Sequence, residues 1–88
     1  MPDADPDTRR RRLRYRALHR GSREADLLIG GFVTAHLDSL GAAELDTLET
    51  LLDELDADIL DWVLGHRSPP AHLDTPLFAR LKAHRVTR

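Results

Sequence analysis

The chain has 88 residues and no cysteine, with 13 Lys and Arg against 15 Asp and Glu, a formal net charge of -2 and an isoelectric point near 6.2. This length suits one compact domain, and the lack of cysteine excludes a disulfide framework and a thiolate metal site. No apolar run approaches the ~20 residues that span a bilayer. Acids at Asp3, Asp5 and Asp7 are atypical of a mitochondrial presequence, so we expect a cytoplasmic protein.

Positive and negative charges occupy different parts of the sequence. Eight of the 13 basic residues fall between Arg9 and Arg23, whereas the interval from Glu24 to His66 has many acids and no Lys or Arg. The run of arginines has three interpretations: a solvated helix start, a phosphate-binding arm on which Tyr15 stacks with a base, or a surface for electrostatic docking to a protein. The isoelectric point and the acidic middle oppose broad nucleic-acid docking.

The N-terminal part predicts a tail, a helix and a tight corner. Residues 1–7 are polar with two prolines, so we expect a disordered tail before one helical domain over residues 8–88. A helix is expected from Thr8, and its narrow apolar stripe would be Leu13, Ala17 and Leu18. Gly21 is expected to end this helix in the left-handed conformation, and Ser22 to cap the next one.

The apolar stretch "EADLLIGGFVTAHLDSL" predicts a second, central helix. Its buried face is expected to include Ala25, Leu28, Phe32 and Ala35, widened by Leu27, Ile29, Val33 and Leu37. Glycine costs about 1 kcal/mol in a helix relative to alanine. The pair Gly30–Gly31 therefore indicates a close helix contact or a bend.

Two further helices are predicted in the acidic part of the chain. The third is expected from Ala42 to Leu55, with an apolar stripe of Leu45, Leu48, Leu51, Leu52 and Leu55. Asp56 is a good N-cap for a short fourth helix, "ADILDWVLGH", that ends at Gly65 or Arg67.

The remaining sequence predicts a loop and a last helix. "RSPPAH" is a loop because consecutive prolines cannot continue a helix. The last helix is expected to start between Asp74 and Pro76 and to pack through Leu77, Phe78 and Leu81. Trp62 shares helical spacing with Ile59, which favours a place in the core. No alternating strand pattern is found, so the predicted fold is an all-α bundle of about five short helices.

The sequence contains no motif of an enzyme or a metal site. No two of its histidines have the three- or four-residue spacing that places two ligands on one helix face: His19, His36, His66, His72 and His84. No glycine-rich phosphate loop or nucleophile elbow is present. A run of acids on a helix is usually a solvated face. We therefore expect no catalytic residue and no metal ion.

Three features together resemble the FAD assembly factor family of succinate dehydrogenase. The family's Arg-Gly-x-x-Glu signature is present as Arg20, Gly21 and Glu24, and Asp26 matches a commonly acidic position. The "LDSL" corner and the pattern "LL-x-x-x-D-x-D-[IL]-x-x-W" follow in the family's order, and the resemblance extends from about Leu13 to about Arg85. One departure is "GAA" at residues 41–43, where relatives tend to carry Ser and acids, so the third helix is expected to lack a capping box.

The resemblance implies a five-helix bundle that binds the flavoprotein subunit of succinate dehydrogenase or fumarate reductase. The factor would hold this client in a form in which a client histidine becomes linked to the C8 methyl group of FAD. FAD belongs to the client, so the factor itself is implied to be a chaperone, not an enzyme, with no stably bound cofactor. We expect a monomer, with pairing of the arginine-rich N-terminus and an acidic face of a second copy as the alternative. The partner-binding residues implied by the resemblance are Arg20, Gly21, Arg23, Glu24 and Asp26.

Within this signature, Arg20 and Glu24 are expected to project from the corner as contacts of opposite charge. The alternative is an internal cap and ion pair. An exposed pair contributes only about 0–1 kcal/mol to stability, whereas loss of one desolvated member at an interface costs about 2–5 kcal/mol, which favours the interface. Two rival functions stay open: a nucleic-acid-binding helical module that uses the arginine arm, and an enzyme accessory subunit with no flavin role.

Overall fold

Five helices and no strand make up residues 6–84, the part of the chain that the structure, a computed structural model, describes. The expected all-α fold is confirmed. The helices are α1 (Pro6–Leu18), α2 (consecutive segments Arg23–Ala25, Asp26–Gly30 and Gly31–His36), α3 (Ala42–Leu52), α4 (Asp56–Val63) and α5 (Pro76–Ala83). Short 3-10 turns at Leu37–Ser39 and Ala71–Leu73 follow α2 and precede α5.

The corner between α1 and α2 forms as its sequence predicts. Gly21 has φ +98°, a left-handed conformation that favours glycine, and the Ser22 hydroxyl accepts a hydrogen bond from the Ala25 N–H at 3.1 Å. Helix α1 begins at Pro6, two residues before the expected start, so residues 6 and 7 are helical. The first five residues of the expected tail lie outside the described residues.

Helix α2 passes very close to α1 at Gly30. A Cβ atom at this position would lie 2.6 Å from Leu18 Cδ2 and 3.2 Å from the Ala17 carbonyl oxygen, whereas at Gly31 the nearest atom, on His84, is 3.6 Å away. The close contact expected from the glycine pair is therefore confirmed for Gly30. It occurs at the end of a π-helical turn over Asp26–Gly30, a local widening of the helix.

The buried faces of α1 and α2 are narrower than expected. Leu18 is 39% exposed and Leu27 is 52% exposed, and Ala35 also faces solvent, so these three predictions are wrong. The other predictions for α2 are confirmed in the buried residues Ala25, Ile29, Phe32, Val33 and Leu37, and Leu28 is partly buried against them. Steps of four and three residues, from Ala25 to Ile29 and from Ile29 to Phe32, keep these side chains on one side of the helix.

Helix α3 is shorter than expected, and the turn after it exposes Leu55. The helix ends at Leu52, and Leu55, with φ -70° and ψ 144°, is the extended N-cap residue of α4, a place predicted for Asp56. Leu55 is therefore 71% exposed, and its predicted place in the buried stripe is wrong. At the other end, half of a capping box survives, because the Gly41 N–H donates to Glu44 Oε1 at 3.1 Å.

The remaining expectations for the core are confirmed. Trp62 is only 4% exposed, and Gly65, with φ +82°, follows the end of α4. Thr75 caps α5 by accepting from the Phe78 N–H at 3.2 Å, and Pro76 is the first helical residue. The expected contact face of α5 is buried through Leu77, Phe78 and Leu81.

Candidate functional site

The signature residues lie in the corner that joins α1 to α2, residues Arg20 to Asp26. The backbone N–H of Arg20 donates a hydrogen bond to Asp26 Oδ1 at 2.7 Å. This carboxylate is half-buried and sits in the first turn after Ala25, so it ties the end of the corner back to its beginning. Asp26 therefore stabilises the corner, and this contact is a structural role that the sequence did not reveal.

Arg20 is directed into the fold and clamps the corner to the α3–α4 turn. Its Nη1 donates to the Leu52 carbonyl oxygen, its Nη2 to the Glu54 carbonyl oxygen and its Nε to Asp56 Oδ1, each at 2.7 Å. The side chain is only 10% exposed. The expectation that Arg20 projects opposite Glu24 is therefore wrong, because the guanidinium is satisfied by groups 32 to 36 residues away.

Three of the predicted partner-binding residues face solvent. Gly21, Arg23 and Glu24 are exposed, and a Cβ at Gly21 would meet no atom within 4 Å. Within residues 6–84, neither Arg23 nor Glu24 takes part in a side-chain hydrogen bond or an ion pair. The structure thus brings two opposite charges, without side-chain partners in the described part of the chain, to the surface of a corner that Arg20 and Asp26 fix from within.

The arginine run forms an internal ladder of ion pairs between α1 and α3. Arg9 pairs with Asp46, Arg12 with Glu49 and Arg16 with Asp53, and each pair joins residues 37 apart. The residue numbers of both partners increase together along the series, so α1 and α3 run parallel. We call Arg9, Arg12, Arg16, Asp46, Glu49 and Asp53 the ladder.

Other contacts of α1 reinforce this arrangement. Arg9 also reaches Glu49 at 2.8 Å, and its hydrogen bonds to Asp46 and then to Glu49 raise its pKa further above the usual value. Arg10 donates to the Leu40 carbonyl oxygen at 2.8 Å and to that of Leu37 at 3.3 Å. The run is therefore not a solvated arm. The sequence contained a signal for the ladder, since its basic and acidic members share the spacing i, i+3, i+7.

Replacing Arg9 with glutamine is expected to weaken the salt dependence of folding. Raising the ionic strength from ~0.01 to ~1 M shortens the Debye length from ~30 to ~3 Å, so the wild-type free energy of unfolding should fall by about 1–2 kcal/mol as the ladder is screened. Arg9 contacts two of the three ladder acids, and Arg9→Gln should remove about half of this loss. Urea denaturation at a series of sodium chloride concentrations measures this salt dependence of the free energy of unfolding. Arg11→Gln is the control, because Arg11 is exposed and outside the ladder; equal salt slopes in both variants would contradict the assignment.

The histidines of the described region do not assemble a metal site. The rings of His36 and His84 lie 5.9 Å apart and both pack against Phe32. Among residues 6–84, no group of three His, Asp or Glu side chains could hold a metal ion. Over the same range, no helix has the length and apolar character needed to cross a membrane.

An open groove at the N-terminal ends of α3 and α5 does not fit FAD. It has a volume of about 280 Å³ and is lined by Ala43, Glu44, Thr47, Thr75, Pro76 and Leu77. Sites that enclose ligands of that size usually have about 300–1,000 Å³ and bury most of the ligand. The charged group in this lining is the Glu44 carboxylate, which would repel the diphosphate of a dinucleotide.

Comparison with known proteins gives a consistent result. The sequence profile of the family described as "Flavinator of succinate dehydrogenase" matches residues 11–85. The protein "FAD assembly factor SdhE" of Acetobacter pasteurianus is 45% identical over 73 residues, which make up 83% of this chain and 67% of that protein.

Two fungal proteins named "Succinate dehydrogenase assembly factor 2, mitochondrial" are also similar. The protein of Cryptococcus neoformans is 38% identical over 81 residues, and that of Candida glabrata is 49% identical over 57 residues. These matches cover 91% and 65% of this chain. The chain spans only 46% and 37% of the length of these two relatives.

Proposed function

The chain belongs to the family of succinate dehydrogenase flavinators, and from this membership we propose that it binds the succinate dehydrogenase flavoprotein subunit and promotes its covalent attachment to FAD. The members named above are assembly factors, so the chain is assigned as a chaperone and not as an enzyme. The observation that carries the proposed binding site is the pair of exposed charges at Arg23 and Glu24, beside the left-handed Gly21; neither has a side-chain partner among the described residues.

The corner suits protein docking because its shape is fixed before a partner arrives. The Arg20 clamp and the Asp26 hydrogen bond hold the backbone that carries Gly21 and Glu24. A preorganised surface loses less conformational entropy on binding than a mobile one. With no side chain, Gly21 lets a partner approach the backbone closely, and Glu24 then offers a carboxylate to a basic group on that partner.

In this proposal FAD stays with the client. We infer that the factor contributes by selecting a client conformation in which the client's histidine and the flavin are aligned. The new bond and the accompanying redox change belong to FAD and the client site. Arg20 and Asp26 act on the reaction indirectly, by holding the docking corner.

The nucleic-acid alternative is not supported. Its arginines between Arg9 and Arg16 are mostly engaged by the ladder and by carbonyl oxygens, so they are not available to neutralise phosphates.

Three finer assignments are further parts of the proposal. They are a monomeric state, a fumarate reductase flavoprotein as a second client, and a cytoplasmic location like that expected for a bacterial factor. The fungal relatives carry "mitochondrial" in their names, so fractionation of the source cell tests the location.

Replacing Glu24 with alanine is expected to reduce covalent flavinylation about tenfold or more while the fold is kept. The carboxylate is exposed and bonds no described residue, so its loss should affect docking and not stability. Purified apo flavoprotein is incubated with FAD and each factor variant. Flavin fluorescence of the client band after a denaturing gel then reports the covalent bond.

Asp74→Ala is the matched control for this experiment. Asp74 is also exposed, but it lies far from the corner. Its neighbour Thr75 lines the groove with Ala43 and Glu44 at the N-terminal end of α3, whereas the corner contacts the C-terminal end of α3. We expect this variant to support flavinylation like the wild type. If the wild type leaves the client band unchanged under conditions in which the client can be flavinylated, the proposed function is wrong. If the wild type is active and Glu24→Ala is equally active, the proposed function stands and the proposed site is wrong.

A further inference from the structure

Leu55 is an unusually exposed leucine at a rigid position. At 71% it is the most exposed of the large apolar side chains in the described region, ahead of Tyr15 at 63% and Leu64 at 61%. It lies in the α3–α4 turn, where its carbonyl oxygen accepts the Ile59 N–H at 3.0 Å and so begins α4. A leucine in this place gives up the burial that its side chain would gain in the core.

The Arg20 clamp holds both neighbours of Leu55. Nη2 of Arg20 bonds the Glu54 carbonyl oxygen and Nε bonds Asp56 Oδ1, so the guanidinium spans the residue between them. Because these bonds come from inside the fold, the intervening Leu55 side chain points outward. The clamp therefore does more than join two turns: it fixes the position of an exposed apolar side chain.

Leu55 is continuous with the signature corner. Arg20 is the covalent neighbour of Gly21, so Leu55 lies one arginine side chain away from the corner that carries Gly21 and Glu24. Interfaces commonly combine a well-packed apolar anchor with a polar rim. The α3–α4 turn and the α1–α2 corner together have this composition, with Leu55 as the apolar anchor and Arg23 and Glu24 as the polar rim.

We propose that Leu55 is an apolar anchor of the docking surface for the flavoprotein, and that Arg20 is the positioning residue that presents it. This inference rests on the proposed function and deepens it. The complementary site on the client is an apolar pocket with charged groups at its edge, including a basic one that faces Glu24. Leu64, at the opposite end of α4, has no hydrogen-bonded link to the corner and lies outside this surface.

Binding measurements with Leu55→Ala and Leu64→Ala test the inference. The two leucines are similarly exposed, so either change should leave the thermal midpoint within the error of the wild type. Titration of the fluorescently labelled factor with apo flavoprotein should show about tenfold weaker binding for Leu55→Ala and less than twofold for Leu64→Ala. Leu55→Met, which restores apolar volume, should recover most of the affinity.

Three outcomes would overturn the inference. Equal affinities of the Leu55→Ala and wild-type factors, with binding lost in Glu24→Ala, would leave the proposed function intact and remove Leu55 from the site. Equal losses in the Leu55 and Leu64 variants would indicate a non-specific apolar contribution. Wild-type self-association that Leu55→Ala abolishes, with client binding unchanged, would assign the surface to a second copy. Failure of the wild type to bind at all would instead contradict the proposed function.

Discussion

Replacing Arg20 with alanine is expected to lower the free energy of unfolding by about 2–4 kcal/mol. The change removes three hydrogen bonds from a nearly buried guanidinium and leaves the Asp56 carboxylate and two carbonyl oxygens without their donors. Hydrogen bonds that involve a charged group contribute about 1.5–3 kcal/mol, and unpaired polar groups add to the loss. Urea denaturation followed by far-ultraviolet circular dichroism gives the number.

Arg23→Ala is the matched control, since it removes an arginine three residues away that is exposed and has no partner in residues 6–84. We expect it to change the free energy of unfolding by less than about 0.5 kcal/mol. Arg20→Lys should rescue little, because an ammonium group cannot match the fork that reaches two carbonyl oxygens and a carboxylate at once. Similar stabilities of Arg20→Ala and Arg23→Ala would show that the clamp contributes nothing.

Gly30→Val is expected to destabilise the fold by about 1–3 kcal/mol. Its Cβ would approach the Ala17 carbonyl oxygen to 3.2 Å and Leu18 Cδ2 to 2.6 Å, and the branched methyl groups would add further crowding. The Leu18 side chain can move aside, but the backbone carbonyl of α1 cannot do so without separating the two helices. Inserting volume at a close-packed contact costs this amount in other proteins. Thermal and urea denaturation measure the loss.

Gly31→Ala, one residue further along α2, is expected to have the opposite effect. Its Cβ would meet the nearest atom at 3.6 Å, an ordinary van der Waals contact, so the variant should gain about 0.5–1 kcal/mol from the better helix propensity of alanine. A gain of similar size in Gly30→Ala and Gly30→Val would mean that α1 and α2 are not in close contact at Gly30.

The sequence was sufficient for the elements whose determinants are local. Gly21 and Ser22 mark helix ends because their conformation or capping atom acts within three residues, and both were predicted. Thr75 caps the last helix by the same kind of local contact, within the predicted range of its start. Helical spacing also placed Trp62 in the core. The same helical spacing wrongly predicted that Leu55 is buried, because the leucine pattern continues through a turn at which the backbone leaves the helix.

The sequence predicts a docking site at the corner, but the contacts that its residues make could not be predicted from it. The signature pointed to the corner, and the structure leaves Glu24 exposed there. The role of Arg20 depends on carbonyl oxygens of a turn more than thirty residues away, and no backbone acceptor has a signature in the amino-acid sequence. The pairing of the arginine run was not predicted for a related reason: the shared spacing of the ladder residues does not say that α1 and α3 lie side by side.

The spacing of the ladder sets an order of events during synthesis. Arg9, Arg12 and Arg16 leave the ribosome 37 residues ahead of the acids they pair with, and a 13-residue helix is marginal in water without tertiary support. The three arginines of the ladder are therefore matched one after another as Asp46, Glu49 and Asp53 are made. The last rung closes only after the Arg20 acceptor at Leu52 has also emerged, so the N-terminal helix and the signature corner acquire their partners within the same short stretch of translation.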